Sequence, residues 1–227
     1  MSSTLSRRTF LVSAPLALAG CTAGREAPAV AIAPEVPLYY RNLYASIDTG
    51  PFPVPEPDLT EIDPKFYRQE VAYESNQGAG AIVVNTEARF LYLQRENGRA
   101  MRYGIGVGKE GLAFSGAGTI QLKREWPRWT PTSTMIAREP ERYGPAAGGM
   151  EGGPKNPLGA RALYLYRNGV DTLYRIHGTN EDWSIGQSIS SGCIRLLNHD
   201  IIDLYARVPI GTRVVVLQRG GDRIARA

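Results

Sequence analysis

From about Phe66 onward the apolar residues fall in short runs broken by turn signals, the spacing of β-strands rather than of helices. Ala81-Ile82-Val83-Val84-Asn85 predicts one strand. Arg89-Phe90-Leu91-Tyr92-Leu93-Gln94 predicts a second, apolar on alternate and intervening positions alike and therefore buried on both faces. Asn97-Gly98 predicts a hairpin turn into a strand over 101–107, and further strands are expected over 118–125, 161–166, 173–177 and 213–218. One helix is expected over 200–208: Ile201, Leu204 and Tyr205 share a face, Asn198 or Asp200 can cap its start, and Pro209 with Gly211 ends it. A second short helix is expected over 134–138, capped by Thr132 or Ser133. Many strands and few helices predict a mainly β fold, a sandwich or barrel-like domain with one or two short helices.

Upstream the pattern changes. Half of the 16 prolines lie between Pro28 and Pro64, and 51–57 alternates proline with other residues in the manner of a stiff polyproline segment. Tyr39, Tyr40, Tyr44 and Phe52 in the same stretch have little use in a solvated linker, so part of it is expected to lie on the domain. The chain thus divides into a signal segment over 1–20, a Pro-rich tether or strap over 21–65, a mainly β domain over 66–219 and a basic tail over 220–227.

The 227 residues, 43% hydrophobic and 21% charged, suit one globular domain with margins and exclude disorder along the whole chain. The charge of +4 is too mild to argue for nucleic acid. Two Cys and two His nearly exclude a Cys/His zinc site and any disulfide framework. Arg7 and Arg8 precede an apolar run over 10–19, about half of what a spanning helix needs, and so predict an export signal. Ser6-Arg7-Arg8-Thr9-Phe10-Leu11 resembles a twin-arginine signal, and Leu18-Ala19-Gly20-Cys21 resembles a bacterial lipobox, which implies lipidation of Cys21. Thr22, where inner-membrane retention is associated with Asp, points to the outer membrane. Cys193 would then be the remaining thiol in an oxidising compartment, exposed to oxidation unless buried or used for chemistry.

A cysteine nucleophile needs a neighbouring base or positive charge, because a thiol near pKa ~8.5 is only a few per cent thiolate at neutral pH. His177 can be that base. The Gly- and Ser-rich stretch between His177 and Cys193 can fold back to bring the two together, and Gly192 permits a tight turn whose N–H groups could face a developing oxyanion. His199, beside the expected helix start, reads as a surface or capping residue. Gly104-Ile105-Gly106-Val107-Gly108-Lys109 has Tyr103 and Glu110 where a phosphate-binding loop needs Gly and Ser/Thr, so a strand end and turn suffices.

At Ile176-His177-Gly178-Thr179 and Gly192-Cys193-Ile194-Arg195-Leu196 the sequence resembles the YkuD-type L,D-transpeptidase family. The likeness extends to 82–93, to Asn156-Pro157-Leu158-Gly159-Ala160-Arg161-Ala162-Leu163 and to the closing 203–216. It implies that Cys193 is the nucleophile and His177 the general base, with the imidazole oriented by a backbone carbonyl of Gly178 or of the Ser190-Ser191 turn and an oxyanion hole from the Gly192 and Cys193 amides. Arg195 either binds a substrate carboxylate or ties its loop down, the structural role being favoured. Trp126, Trp129 and Tyr174 are further substrate-binding candidates, and Trp126-Pro127-Arg128-Trp129 with the glycine run over 148–153 is the expected cover of the groove.

The implied reaction is acyl transfer from a peptidoglycan stem tetrapeptide, with loss of its terminal D-alanine, to an amine of another stem peptide or of an envelope protein. Metal and cofactor are not needed. The implied place is the periplasm, with a lipid anchor at the outer membrane. Two departures from the family pattern stand out: Ser191 replaces a second His, and Phe114-Ser115-Gly116-Ala117-Gly118-Thr119 replaces a Thr-Pro-x-Gly turn. A noncatalytic wall-binding lipoprotein and an L,D-carboxypeptidase remain as alternatives. A papain-like peptidase fits less well because its Cys precedes its His, and a sortase-like one because no sortase-type Thr precedes Cys193.

Overall fold

The computed structural model describes residues 35–108, 114–190 and 192–217. The expected export signal, Cys21, Ser191 and the basic tail lie outside them. The described chain opens with helix α1 (Leu38–Leu43) and continues through β1 (Gln69–Ala72), β2 (Ile82–Asn85), β3 (Phe90–Gln94), β4 (Arg99–Gly104), β5 (Val107–Gly108) and β6 (Gly116–Glu125). Two short helices follow, α2 (Ser133–Arg138) and α3 (Pro140–Tyr143), then β7 (Arg161–Arg167), β8 (Val170–His177), β9 (Ser188–Ser190) and β10 (Ile194–Arg195). Helix α4 (Asn198–Arg207) and β11 (Arg213–Leu217) close it.

The fold is mainly β. Nine strands form one sheet in the order β1-β4-β3-β2-β11-β6-β7-β8-β10, and β5 pairs with β9 apart from it. Neighbours in the large sheet run antiparallel except at β2–β11 and β8–β10. Asn97 and Gly98, at φ 58° and 65°, turn β3 into β4 as their sequence predicts. Leu91 and Tyr92 are both buried, so both faces of β3 are indeed covered. One face joins Ile82, Leu91, Leu163, Ile176 and Val214 to Ile201 and Leu204 of α4. The other gathers Val83, Tyr92, Val215 and Leu217, with Tyr73 stacked on Tyr92 at 3.8 Å.

The strand expected over 101–107 is broken in two. A Cβ at Gly106 would stand 2.6 Å from the Ser184 carbonyl oxygen, and this close approach lets the chain leave β3 and bridge Arg195 instead. Helix α2 is capped as expected, the Thr132 hydroxyl accepting the Met135 N–H at 3.2 Å. Helix α4 is not: its cap position is Leu197, and no side chain bonds there. The segment before β1 packs closely. Tyr44, Leu59, Ile62, Phe66 and Tyr67 are buried with Ile185 and Leu197, so the described part of this stretch lies on the domain.

Candidate active site

The parallel ladder between β8 and β10 sets Ile194 against Ile176 and Arg195 against His177. One residue earlier, Cys193 comes beside Arg175, whose peptide N–H hydrogen-bonds its sulfur. Along β8 the side chains alternate. Tyr174 and Ile176 enter the core, whereas Leu173, Arg175 and His177 line a cavity of about 420 Å³ together with Cys193, Arg195 and Glu181. Sixteen chain steps therefore close so that the only His lining the cavity and the half-buried Cys193 share one space.

His177 is 4% exposed, and its Nδ1 lies 2.5 Å from the Gly178 carbonyl oxygen. A carbonyl only accepts, so Nδ1 carries the hydrogen and Nε2 keeps its lone pair. Of the two carbonyl sources expected from the sequence, it is that of Gly178. Burial pushes the imidazole pKa down to about 4, with the Gly178 bond opposing and the charges of Arg195 and Arg175 adding to the fall. Burial raises the Cys193 thiol, opposed by the Arg175 N–H and by the charges of Arg175 and Arg195. Both groups are thus neutral at rest, a thiol beside an imidazole.

Gly192 has φ +128°, a conformation L side chains rarely adopt, so the turn before Cys193 requires its glycine. Arg195 Nη1 donates to Glu181 Oε2 at 2.6 Å, and Glu181 Oε1 accepts from Arg142 Nη2 at 3.1 Å. Arg195 is thus tied to Glu181, and it also borders the cavity. Arg175 is fixed by two bonds to Asp171, at 2.7 and 2.8 Å, and lies over the Tyr164 ring.

The cover expected from 126–129 and 148–153 is closed on itself. Trp129 and Met150 exchange backbone bonds at 2.9 and 2.7 Å, and Arg128 pairs with Glu151. Trp129 lines the cavity and meets Tyr143 edge-on. Trp126 does not line it: its ring packs on Phe52 at 5.1 Å and its peptide N–H donates to the Ala160 carbonyl, so it joins the N-terminal segment to the domain. Tyr174 is not among the lining residues either, being stacked on Phe114 in the core. His199 corrects the surface expectation. It is 4% exposed and its Nε2 meets the Ala45 carbonyl at 2.9 Å.

Three residues that shape the site have no local signature of a role. Asn156, buried, donates its Nδ2 to the carbonyls of Pro127, Met150 and Glu151 and so ties the cover's two ends together. Glu181 clasps two arginines. Leu173, exposed at φ +59°, stands at the cavity beside a register shift between β7 and β8. Asn156 opens the Asn156-Pro157-Leu158-Gly159 stretch of the family likeness and Leu173 opens the strand expected over 173–177, but neither pattern points to these contacts.

A mainly β domain with a Cys and a His at adjoining strand ends on one cavity defines a class that comparison makes specific. Residues 79–216 match the YkuD family, the L,D-transpeptidase catalytic domain, and the chain belongs to that family. It is 36% identical over 137 residues to Probable L,D-transpeptidase YbiS of Escherichia coli K12, covering 60% of this chain and 43% of that one. It is 38% identical over 141 residues to Probable L,D-transpeptidase ErfK/SrfK of the same strain, covering 61% and 44%. The chain therefore spans less than half the length of these relatives. Among solved structures, an L,D-transpeptidase from Mycobacterium smegmatis is 21% identical over 63% of this chain and 61% of that chain, with a TM-score of 0.44. A chain named as a probable carnitine operon oxidoreductase from Brucella melitensis is 53% identical over 70% of this chain and 99% of that chain, with a TM-score of 0.48. Membership of the family rests on the matched 79–216 and not on these two structural likenesses.

Proposed function

We propose that the protein is an exported peptidoglycan L,D-transpeptidase in which Cys193 is the nucleophile and His177 the general base. The observation that carries this reading is the β8–β10 register, which delivers both residues to one cavity with His177 held in the tautomer that leaves Nε2 free to accept a proton. As the carbonyl of the third stem residue enters, Nε2 takes the Sγ proton while the S–C bond forms. The oxyanion is met by the Gly192 and Cys193 amides. Collapse breaks the C–N bond, and His177 returns its proton to the departing D-alanine amine. An acceptor amine then attacks the thioester, giving its proton to Nε2, and the sulfur leaves to regain a proton. The acceptor is an amine of a second stem peptide or of an envelope protein.

The arginine side chains around the cavity favour anionic stem peptides, and the cover from 126–129 and 148–153 limits water at the thioester. Cys193→Ala is expected to abolish D-alanine release from tetrapeptide muropeptides; full activity in that variant rejects the reading. A thiol reagent or a carbapenem should add its mass at Cys193. Export and anchoring through Cys21 are part of the same proposal, supported by the twin-arginine and lipobox resemblances. Cys21→Ser should release the protein from the membrane fraction, and retention there rejects the anchor.

A further inference from the structure

Helix α4 starts with a feature that its sequence does not predict. Asn198 and Asp200 are good helix-capping residues, yet neither caps it. Asp200 turns to Tyr44, and Asn198 turns toward the site: its Oδ1 accepts the Ala160 N–H at 2.8 Å. A residue able to cap a helix but bonded elsewhere marks a second constraint on its position.

The surroundings of that oxygen identify the constraint. A Cβ at Gly159 or at Gly178 would collide with Asn198 Oδ1, so both glycines are bare where the amide fills the space. Gly159, at φ +63°, is held in the left-handed region besides. Gly178 is the residue whose carbonyl accepts the His177 Nδ1 hydrogen. The 177–178 backbone is gripped on two sides by strand-like bonds, Gly178 N–H to the Arg161 carbonyl at 3.0 Å and Leu196 N–H to the His177 carbonyl at 2.9 Å. Asn198 Oδ1 lies against it from α4 while accepting the N–H of the turn at 159–160.

We propose that Asn198 is a positioning residue for the reaction: by wedging its Oδ1 between Gly159 and Gly178 and accepting the Ala160 N–H, it holds the Gly178 carbonyl on His177 Nδ1 and so fixes the tautomer with a basic Nε2. This rests on His177 being the base, as proposed above. Withdrawing the amide lets the 178 peptide rotate, and an imidazole that loses its Nδ1 acceptor also populates the tautomer with hydrogen on Nε2, which cannot take the thiol proton.

The test uses the full chain and the variants Asn198→Ala, Asn198→Ser and Asn198→Asp, with ring-nitrogen NMR of His177, kcat and KM for D-alanine release, and melting temperature. Asn198→Ala should mix the tautomers and lower kcat by about 10-fold or more with KM little changed, the sign of a misheld base rather than lost binding. Asn198→Ser should act in the same direction and serves if the alanine variant does not fold. Asn198→Asp keeps the acceptor oxygen and should restore the single tautomer. A His177 held in the parent tautomer with parent kcat in both Asn198→Ala and Asn198→Ser, melting temperature alone falling, overturns the role. The tautomer is read without turnover, so that result leaves the catalytic reading standing. D-alanine release that persists in Cys193→Ala strikes the catalytic reading instead.

Discussion

His177 and His199 are the two histidines of the chain, and by most local measures they match. Each is 4% exposed, each has one ring nitrogen on a backbone carbonyl, and burial lowers the pKa of each. They differ in what lies beyond the second nitrogen. His177 borders a cavity that also receives Cys193. His199 has the Tyr44 ring edge-on at 5.8 Å and its nitrogen on Ala45, so it fastens the N-terminal segment to α4. Burial and a shifted pKa alone therefore do not mark a base. What sets His177 apart is an open space shared with a thiol.

The largest expected effect separates the two rings by exchange. His177→Ala should lower kcat for D-alanine release by about 10²- to 10⁴-fold, the usual worth of a positioned general base. His199→Ala should leave kcat close to the parent's below the melting transition. Equal losses in the two variants, measured side by side, would erase the distinction drawn here.

Stability should reverse that order. His199→Ala leaves the Ala45 carbonyl without its partner and opens a void beside Tyr44, at a cost of about 3 kcal/mol from the unmet acceptor and the lost packing. Denaturant unfolding of the folded variant reads this directly. A His199→Ala protein as stable as its parent would mean that the N-terminal segment does not depend on this contact.

The pH dependence sharpens the same contrast. In the proposed reaction the base must be neutral, and burial keeps His177 neutral down to about pH 4. The acid limb of kcat/KM should therefore fall well below the ordinary histidine value of 6.5, with rate retained at pH 5.5. Linkage has the same sign for both rings. Their folded pKa values lie below the unfolded one, so the stability they contribute is present above pH ~6.5 and is lost as pH falls, for His177 through about 4. A limb centred near 6.5 would place the imidazole in a wetter site than the structure shows.

Much of the scaffold under these residues was readable from local pattern. The strands over 82–85, 90–94, 161–167 and 213–217 and the helix at α4 follow from runs, turns and period, because each is decided by neighbours in the chain. The two-residue β10 and its parallel register with β8 were not, since so short a ladder has no period of its own and depends on a partner 18 residues away. The pair Cys193 and His177 could be named through their chemistry and family likeness, while Asn198 reads as a helix cap and discloses its other contact only through two glycines distant in sequence. Trp126 failed for a related reason: an aromatic near a groove can face the groove or the segment behind it, and Phe52 decided which.

The smallest effect concerns the ions that hold the His199 side together. Asp200 is fully buried, with Arg68 Nε 3.7 Å from one oxygen and Tyr44 Oη donating to the other at 3.3 Å. Burial pushes its pKa up to about 7, while Arg68 and the Tyr44 bond oppose the rise. Its folded pKa thus lies above the unfolded ~3.9, so the neutral acid is favoured in the fold and stability is lost as pH rises toward 7. Arg68→Met removes the countercharge and should raise that pKa further. The variant's loss of stability should then be larger at pH 8, where the parent fold holds Asp200 mostly ionised, than at pH 5, where Asp200 is protonated, by about 1 kcal/mol for a rise of one unit and little more beyond that. Asp203, also 3.1 Å from Arg68, does not confuse the comparison: its pKa is lowered with Arg207 as a second partner, so it is ionised at both pH values and contributes the same loss to each. Arg68 also lowers the pKa of His199, so unfolding is compared at the two pH values for Arg68→Met with and without His199→Ala, and the pH difference common to both belongs to Asp200. An equal loss at pH 5 and pH 8 would mean that Asp200 does not titrate between them, and that the ion pair is fixed where the structure has it poised.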